Sequence, residues 1–138
     1  MQKLITSPME IALQQAKLAF EQDEVPVGAV ITIGNNIIAA AKNEMRNQKN
    51  LLAHAEILVI QKAMKILKTD RLTEYSLFVT LEPCTMCASA IAHARIKRLY
   101  YGAQDIKSGA IENGVRFFSQ PSCCLLYTSP SPRDQRGS

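Results

Sequence analysis

The chain has 138 residues, of which 47% are apolar and 20% are charged. This length and composition suit one compact domain with a hydrophobic core, and they exclude a disordered or fibrous protein. The net charge of +4 permits a polyanionic partner without requiring one. No apolar run reaches the roughly 18 residues that a membrane span needs, and the first six residues do not read as a secretory signal. We therefore expect a protein of the cytoplasm that does not enter a membrane.

The first predicted element is a helix near the start of the chain. Ser7 can cap this helix, Pro8 suits its first position, and Glu10 lies three residues after the cap. Apolar residues then recur with helical spacing as far as Phe20, and Pro26 ends the pattern. The sequence therefore predicts an amphipathic helix that begins with a capping box.

The remaining predicted elements alternate between strands and helices. The strands are β-branched or apolar, and the turn at residues 34–36 contains types that tolerate a positive φ. In chain order we predict strands at residues 27–33 and 37–41, a polar loop at 42–50, a helix at 55–67, a buried strand at 75–81, a helix at 83–94, a strand at 96–101, and a loop at 102–122 with a short helix near 111–118. This order predicts an α/β domain built in layers, without internal repeats.

The last fifteen residues differ in character from the rest of the chain. Residues 124–138 show no helical or strand period and are rich in Ser and Pro. They also resemble an in-frame translation of a transposon-type sequencing adapter. We interpret them as a non-native tail, with a natural disordered tail as the alternative, and we assign the folded domain to residues 1–123.

Two short motifs carry the predicted chemistry. The first is HAE at residues 54–56, and the second is PCTMC at residues 83–87. Cys84 and Cys87 are three residues apart, so on a helix they share a face near its N-terminus, where the helix dipole favours thiolates. With His54 they supply three zinc ligands and leave a fourth position for water, which is the pattern of a catalytic zinc site. Glu56 is close enough to reach such a water without replacing it.

Each motif alone has an ordinary interpretation. A CxxC pair that follows a strand is also typical of a redox dithiol, and an HAE triplet is common on helix surfaces. Both motifs open predicted helices, and this agreement favours a shared metal site. We expect a structural role for His93, because the metal site is complete without it, and no functional role for Cys123.

The paired motifs resemble the signature of zinc-dependent nucleobase deaminases. Further segments are similar to the bacterial tRNA adenosine deaminases of the cytidine/deoxycytidylate deaminase superfamily. The similar segments, which together extend from about residue 7 to residue 123, are residues 24–30, Asn43, residues 79–88, residues 93–96, residues 101–105 and residues 107–110. This resemblance identifies the chain as a member of that family, with residues 1–123 as its deaminase domain.

The resemblance implies roles for individual residues. His54, Cys84 and Cys87 would bind one zinc ion, and Glu56 would carry protons during hydrolytic conversion of adenosine to inosine at the wobble position of a tRNA anticodon. Asn43 would hydrogen-bond the base, although it could instead cap the following segment. Asp105 would lie beside the flipped nucleotide or its neighbour, although it could instead be a turn residue.

The resemblance also implies an architecture and an assembly. We expect the three-layer α/β/α fold of cytidine deaminases with a mixed central sheet, and a homodimer that binds the anticodon loop near the subunit boundary. The family continues with another strand and a C-terminal helix, which this chain lacks, so we expect an exposed edge on the fourth strand and reduced stability. Basic residues that could contact phosphates, or could be ordinary solvated charges, are Lys42, Arg46, Lys49, Arg95, Arg98 and Lys107.

Two other functions compete with tRNA editing. A deaminase of free guanine, cytidine or deoxycytidylate would share the zinc motifs, and only the flanking segments and the substrate assay discriminate it. A non-catalytic zinc or RNA-binding module would also hold a metal ion. Glu56 argues against such a module, because a purely structural site needs no carboxylate beside its metal.

Overall fold

The computed structural model describes residues 7–120, in which four strands form one sheet between helices. The elements in chain order are α1 (Pro8–Glu21), β1 (Gly28–Ile33), β2 (Asn36–Lys42), α2 (Met45–Gln48), α3 (Ala55–Leu67), β3 (Ser76–Leu81), α4 (Thr85–His93), β4 (Arg98–Ala103) and a short 3₁₀ turn (Phe117–Ser119). Within this part of the chain, no helix is long and apolar enough to cross a membrane.

The sheet is mixed, with the strand order β2-β1-β3-β4. β1 pairs antiparallel with both β2 and β3, whereas β3 and β4 are parallel and are connected through α4. The parallel pair places the ends of β3 and β4 at the same edge of the sheet. The chain segments that follow these two strands therefore begin side by side, and both contribute to the site described below.

Alternate residues of the strands face opposite helical layers. Ala29 and Ile31 belong to a buried cluster that includes Val59 of α3 and Ile91 of α4. Gly28, which precedes Ala29, faces α1, because a Cβ atom built there would meet the helix backbone. The helices thus cover both faces of the sheet, and the three-layer α/β/α fold with a mixed sheet is confirmed.

Several local predictions are confirmed in detail. The capping box of α1 is present, since Ser7 Oγ accepts a hydrogen bond from Glu10 N at 3.1 Å and Glu10 Oε1 accepts one from Ser7 N at 3.0 Å. Gly34 has a φ of 57° in the hairpin turn, and α3 has the predicted bounds of residues 55–67. β4 is an edge strand of the sheet formed by the described residues, as expected.

Three predicted elements are wrong in part. The predicted loop at residues 42–50 contains α2. α4 begins at Thr85 and not at residue 83, because Cys84 is extended and serves as its N-cap. β4 begins two residues later than predicted, because Arg95 has a φ of 63° and Lys97 N first bonds to the carbonyl of Tyr75.

The short helix predicted near residues 111–118 is also wrong. Residues 111–113 form a bend, and only the 3₁₀ turn at Phe117–Ser119 is helical. The backbone N–H groups of residues 111–113 donate to the carboxylate of Glu82, so they shape a loop around that side chain. The predicted tail at residues 124–138, and Cys123 with it, lies outside the described residues.

Candidate active site

The three predicted metal ligands converge at the start of two helices. His54 is the N-cap of α3, and Cys84 is the N-cap of α4 with Cys87 in its first turn. His54 Nδ1 lies 3.8 Å from Cys84 Sγ and 3.4 Å from Cys87 Sγ. All three ligand atoms lie within 4.8 Å of one another. The group can therefore hold a metal ion.

These distances fit a tetrahedral ion with nitrogen and sulfur ligands. Bonds of about 2.3 Å to sulfur and about 2.0 Å to nitrogen at tetrahedral angles place an N and an S ligand about 3.5 Å apart. The observed separations of 3.4 and 3.8 Å bracket that value. The three side chains thus need no rearrangement to share one ion, and the described residues add no fourth His, Cys, Asp or Glu ligand to the group.

The two thiols differ in how readily they ionise. The hydrogen bond from Cys87 lowers the pKa of the Cys84 thiol to about 5, with further help from backbone N–H groups at the start of α4 and from His54. The same hydrogen bond and burial raise the pKa of the Cys87 thiol. The local structure therefore favours ionisation of Cys84 over that of Cys87, as expected for a cysteine at a helix N-terminus.

Glu56 lies beside this group in the first turn of α3 and is only 4% exposed. Burial above all, together with the charge of Cys84, raises the pKa of its carboxyl to about 7. Without a basic partner, a buried carboxyl is costly to ionise. The HAE spacing thus places His54 at the helix cap and Glu56 as the second residue of the helix, next to the thiols.

The candidate residues surround one cavity of about 240 Å³. Cys87 is fully buried and does not contribute to its lining, whereas the other five candidate residues do. The lining residues are Val25, Val27, Asn43, Met45, His54, Glu56, Leu81, Glu82, Cys84, Asp105 and Ser108. Two of the predicted metal ligands, a buried carboxyl and the two predicted substrate contacts therefore open onto the same space.

Asn43 and Asp105 also have local structural contacts, which match their alternative interpretations. Asn43 Oδ1 accepts a hydrogen bond from Met45 N at 3.0 Å and so caps the segment that leads into α2. Asp105 Oδ1 accepts hydrogen bonds from Lys107 N and Ser108 N at 3.1 and 3.0 Å. Both side chains nevertheless line the cavity, and their contacts with substrate stay predictions.

Comparison with known proteins identifies the family. The family profile of the MafB19-like deaminases matches residues 6–121. A tRNA-specific adenosine deaminase of Agrobacterium fabrum is 57% identical over 115 residues, which cover 83% of this chain and 76% of that protein. The chain belongs to the MafB19-like deaminase family. The resemblance to bacterial tRNA adenosine deaminases is thereby confirmed.

Solved structures agree with this membership of the MafB19-like deaminases. A structure from a study of A-to-I editing by tRNA:A34 deaminases at the wobble position of transfer RNA is 54% identical, with a TM-score of 0.87. The match covers 90% of this chain and 95% of that one. A guanine deaminase from Bacillus subtilis is 29% identical with a TM-score of 0.68, covering 82% of this chain and 83% of that one. The deaminase fold is shared, and the higher similarity lies with the tRNA deaminase.

Two buried glutamates shape the walls of the deaminase cavity, and the sequence analysis missed both. Glu24 accepts hydrogen bonds from Arg46 N and Asn47 N at 3.0 and 2.7 Å, so it fixes the start of α2 from 22 residues away. Glu82 accepts hydrogen bonds from backbone N–H groups of the loop after β4. Burial by itself raises the pKa of Glu82, but the hydrogen bonds, from Asp105 and Asn113 above all, outweigh it and lower that pKa overall.

A sequence signal for Glu82 does exist. Glutamate is almost never fully buried unless it is paired, and Glu82 directly follows a strand that was predicted to be covered on both sides. A carboxylate at that position therefore required partners. The sequence did not show that the partners would come from residues 105–113.

His93, Arg98 and Lys42 do not line the cavity of this deaminase. The His93 side chain lies within hydrogen-bond distance of the Ser89 carbonyl, 2.7 Å from Nδ1, and it does not line the cavity, in keeping with a structural role. Arg98 begins β4, whereas the cavity lies beyond the other end of β3 and β4, roughly 17 Å away along the strands. Lys42 pairs with Glu44 at 3.2 Å.

Proposed function

We propose that this deaminase converts adenosine to inosine at the wobble position of a tRNA anticodon by zinc-dependent hydrolysis. The observation that carries the proposal is the convergence of three metal-donor atoms beside one cavity, which His54, Cys84 and the buried carboxyl of Glu56 line. The similarity to tRNA-specific adenosine deaminases, which exceeds that to a guanine deaminase, supports this substrate over a free base.

Zinc is the ion that best suits the donor set. Two thiols and one imidazole are typical zinc ligands, and three protein ligands leave one position for solvent. His54, Cys84 and Cys87 would hold this ion, and the low pKa of Cys84 prepares one thiolate for it. When bound, zinc supplies a water that is activated as a nucleophile at neutral pH.

Glu56 moves the protons of the reaction in this proposal. Hydrolytic deamination adds water at C6 of adenine and releases ammonia, so a proton must leave the water and protons must reach the ring nitrogen and the departing amine. Glu56 is the one carboxyl in the cavity that lies next to the metal donors without belonging to them. It accepts the proton of the attacking water and delivers it to the base.

The cavity suits a single base that has left its stack. Its volume of about 240 Å³ lies below the ~300–1,000 Å³ of most ligand sites, so it admits a base and excludes a paired duplex. An anticodon loop can present such a base. Asn43 uses its carbonyl oxygen for Met45, which leaves its amide nitrogen to donate to the base. Asp105 lies beside the nucleotide or its neighbour.

The surroundings of the cavity support an RNA substrate. Lys107 lies in the turn between the cavity-lining residues Asp105 and Ser108, and its side chain is exposed, as is that of Lys49 at the end of α2. An exposed lysine between residues that line the cavity attracts a phosphate backbone. We further propose that the protein acts in the cytoplasm as a homodimer that binds the anticodon loop near its subunit boundary.

Inosine formation on an RNA anticodon arm tests the proposal directly. The wild-type chain loaded with zinc should convert the wobble adenosine and leave free guanine, cytidine and deoxycytidylate unchanged. Glu56→Ala should abolish conversion while zinc content stays near one ion per chain. A chain that deaminates only free bases, or a Glu56→Ala variant with normal activity, would contradict the assignment.

A further inference from the structure

The loop after β4 is organised around one carboxylate. Glu82 is the last residue before Pro83 and Cys84, and it is 3% exposed. Both of its oxygens accept hydrogen bonds, with donor–acceptor distances between 2.6 and 3.1 Å. The five donors are the N–H groups of Asp105, Ile111, Glu112 and Asn113 and the side-chain amide of Asn113.

These five donors exhaust the hydrogen-bonding capacity of the carboxylate. An ionised carboxylate has about four lone-pair sites, and five donors already converge on it. Although Glu82 borders the cavity, it therefore has no acceptor left for a substrate or for a proton. Any influence of Glu82 on the reaction must pass through the loop that it holds.

The loop that Glu82 holds forms one wall of the cavity. Asp105 and Ser108 line the cavity, and Asp105 N is one of the five donors. The loop also packs closely against Glu82 at Gly109. A Cβ atom at Gly109 would lie 2.4 Å from Cδ of Glu82 and 2.5 Å from the carbonyl oxygen of Asp105. The Ala110 N–H group donates to the carbonyl of Pro83, which ties the same loop to the strand end.

We propose that Glu82 is a positioning residue that sets the wall contacting the RNA on the Asp105 side of the cavity. This inference rests on the proposed function. The metal donors and Glu56 belong to α3 and α4, whereas Asp105 and Ser108 depend on Glu82 for their placement. Loss of the carboxylate therefore weakens RNA binding more than it slows the chemical step.

Glu82→Gln is the decisive variant. The amide keeps one acceptor oxygen and turns an NH₂ group towards N–H donors, so at least two of the five hydrogen bonds are lost. We expect the KM for an anticodon stem-loop RNA to rise about tenfold, kcat to stay within about threefold, and zinc content to stay at one ion per chain. Amide hydrogen exchange at residues 105–113 should accelerate, which is a readout independent of activity.

Two further variants separate positioning from general destabilisation. Asn113→Ala removes one of the five donors to Glu82, together with a longer contact to Gln104, and should raise the KM by about threefold, so it tests the idea even if Glu82→Gln does not fold. Leu72→Ala is the matched control, because Leu72 is fully buried in the loop before β3 and does not line the cavity. It should lower the melting temperature and leave the KM unchanged.

The results that overturn the inference are distinct from failure of the proposed function. An unchanged KM in Glu82→Gln, loss of zinc in that variant, or an equal rise in the KM of Leu72→Ala would refute the positioning role. Absence of inosine formation by the wild-type chain would refute the proposed function. In that case unchanged hydrogen exchange at residues 105–113 in Glu82→Gln would still overturn the positioning role, and acceleration there would support it.

Discussion

Substitution of Gly28 tests most directly how closely α1 packs against β1. A Cβ atom at this position would lie 2.0 Å from the carbonyl oxygen of Ala12 and 2.7 Å from the amide nitrogen of Ala16. Real Cβ contacts do not fall below 3.0 Å, so Gly28→Ala forces α1 to retreat by at least 1.0 Å, the difference between 3.0 and 2.0 Å. The obstacle is helix backbone, which cannot rotate away as a side chain can.

The expected loss of stability follows from this geometry. Overpacking a well-packed site costs about 1–3 kcal/mol, and a clash with backbone belongs at the upper end, so we expect a loss of about 3 kcal/mol. The buried contacts of Ala12, Ala16 and Ala19 with the sheet are weakened together. At about 4 °C per kcal/mol for a chain of this size, the melting temperature should fall by roughly 12 °C. Thermal unfolding followed by circular dichroism measures this change.

Gly34→Ala is the control on the same hairpin. Nothing lies within 4 Å of a Cβ atom at Gly34, but its φ of 57° penalises a side chain by about 1 kcal/mol. We therefore expect a fall of only about 4 °C. If Gly28→Ala loses no more stability than Gly34→Ala, the close approach of α1 to β1 is not as described, and the reasoning fails.

Three further predictions concern hydrogen bonds made by polar side chains. Ser7→Ala should lose about 1 kcal/mol in urea unfolding, whereas Ser7→Asp should lose little, because the capping acceptor is retained. Glu24→Gln should accelerate hydrogen exchange at the amides of Arg46 and Asn47 by about tenfold and leave the sheet amides unchanged. Asn43→Asp keeps an acceptor for Met45 but loses its amide donor, so turnover of the anticodon RNA should fall about tenfold or more at an unchanged melting temperature; normal turnover would contradict the contact with the base.

The elements that were predicted correctly are determined by residues that lie close together in the chain. The capping box of α1 lies within residues 7–10, and the bounds of α3 follow from a helical apolar pattern between His54 and a residue in the left-handed region, Lys68. The metal group was also predictable, since two short motifs that each open a helix fix the ligand positions. Such patterns need no knowledge of distant partners.

The elements that were missed depend on distant residues. α2 has four residues, too few for an independent helix, and it is held by the carboxylate of Glu24. The bend at residues 111–113, where a helix was predicted, also depends on a distant residue, because its N–H groups donate to the carboxylate of Glu82. Propensity cannot show which distant carboxylate will accept hydrogen bonds from a segment's backbone.

The same distinction applies within the active site. The roles of Asn43 and Asp105 could not be separated in the sequence from those of cap and turn residues, and the structure shows both kinds of position at once. Such a side chain both shapes a loop and lines a cavity. Its residue type in the sequence does not show which of these two roles it has. Variants such as Asn43→Asp, which alter one purpose at a time, are therefore needed.

Zinc content per chain, measured in Cys87→Ala and Glu56→Ala, tests the central claim most directly. The claim is that His54, Cys84 and Cys87 hold the ion while Glu56 lies beside it without binding it. We predict that Cys87→Ala loses the ion and that Glu56→Ala keeps one per chain. Retention of zinc by Cys87→Ala, or its loss from Glu56→Ala to the same extent, would contradict the account.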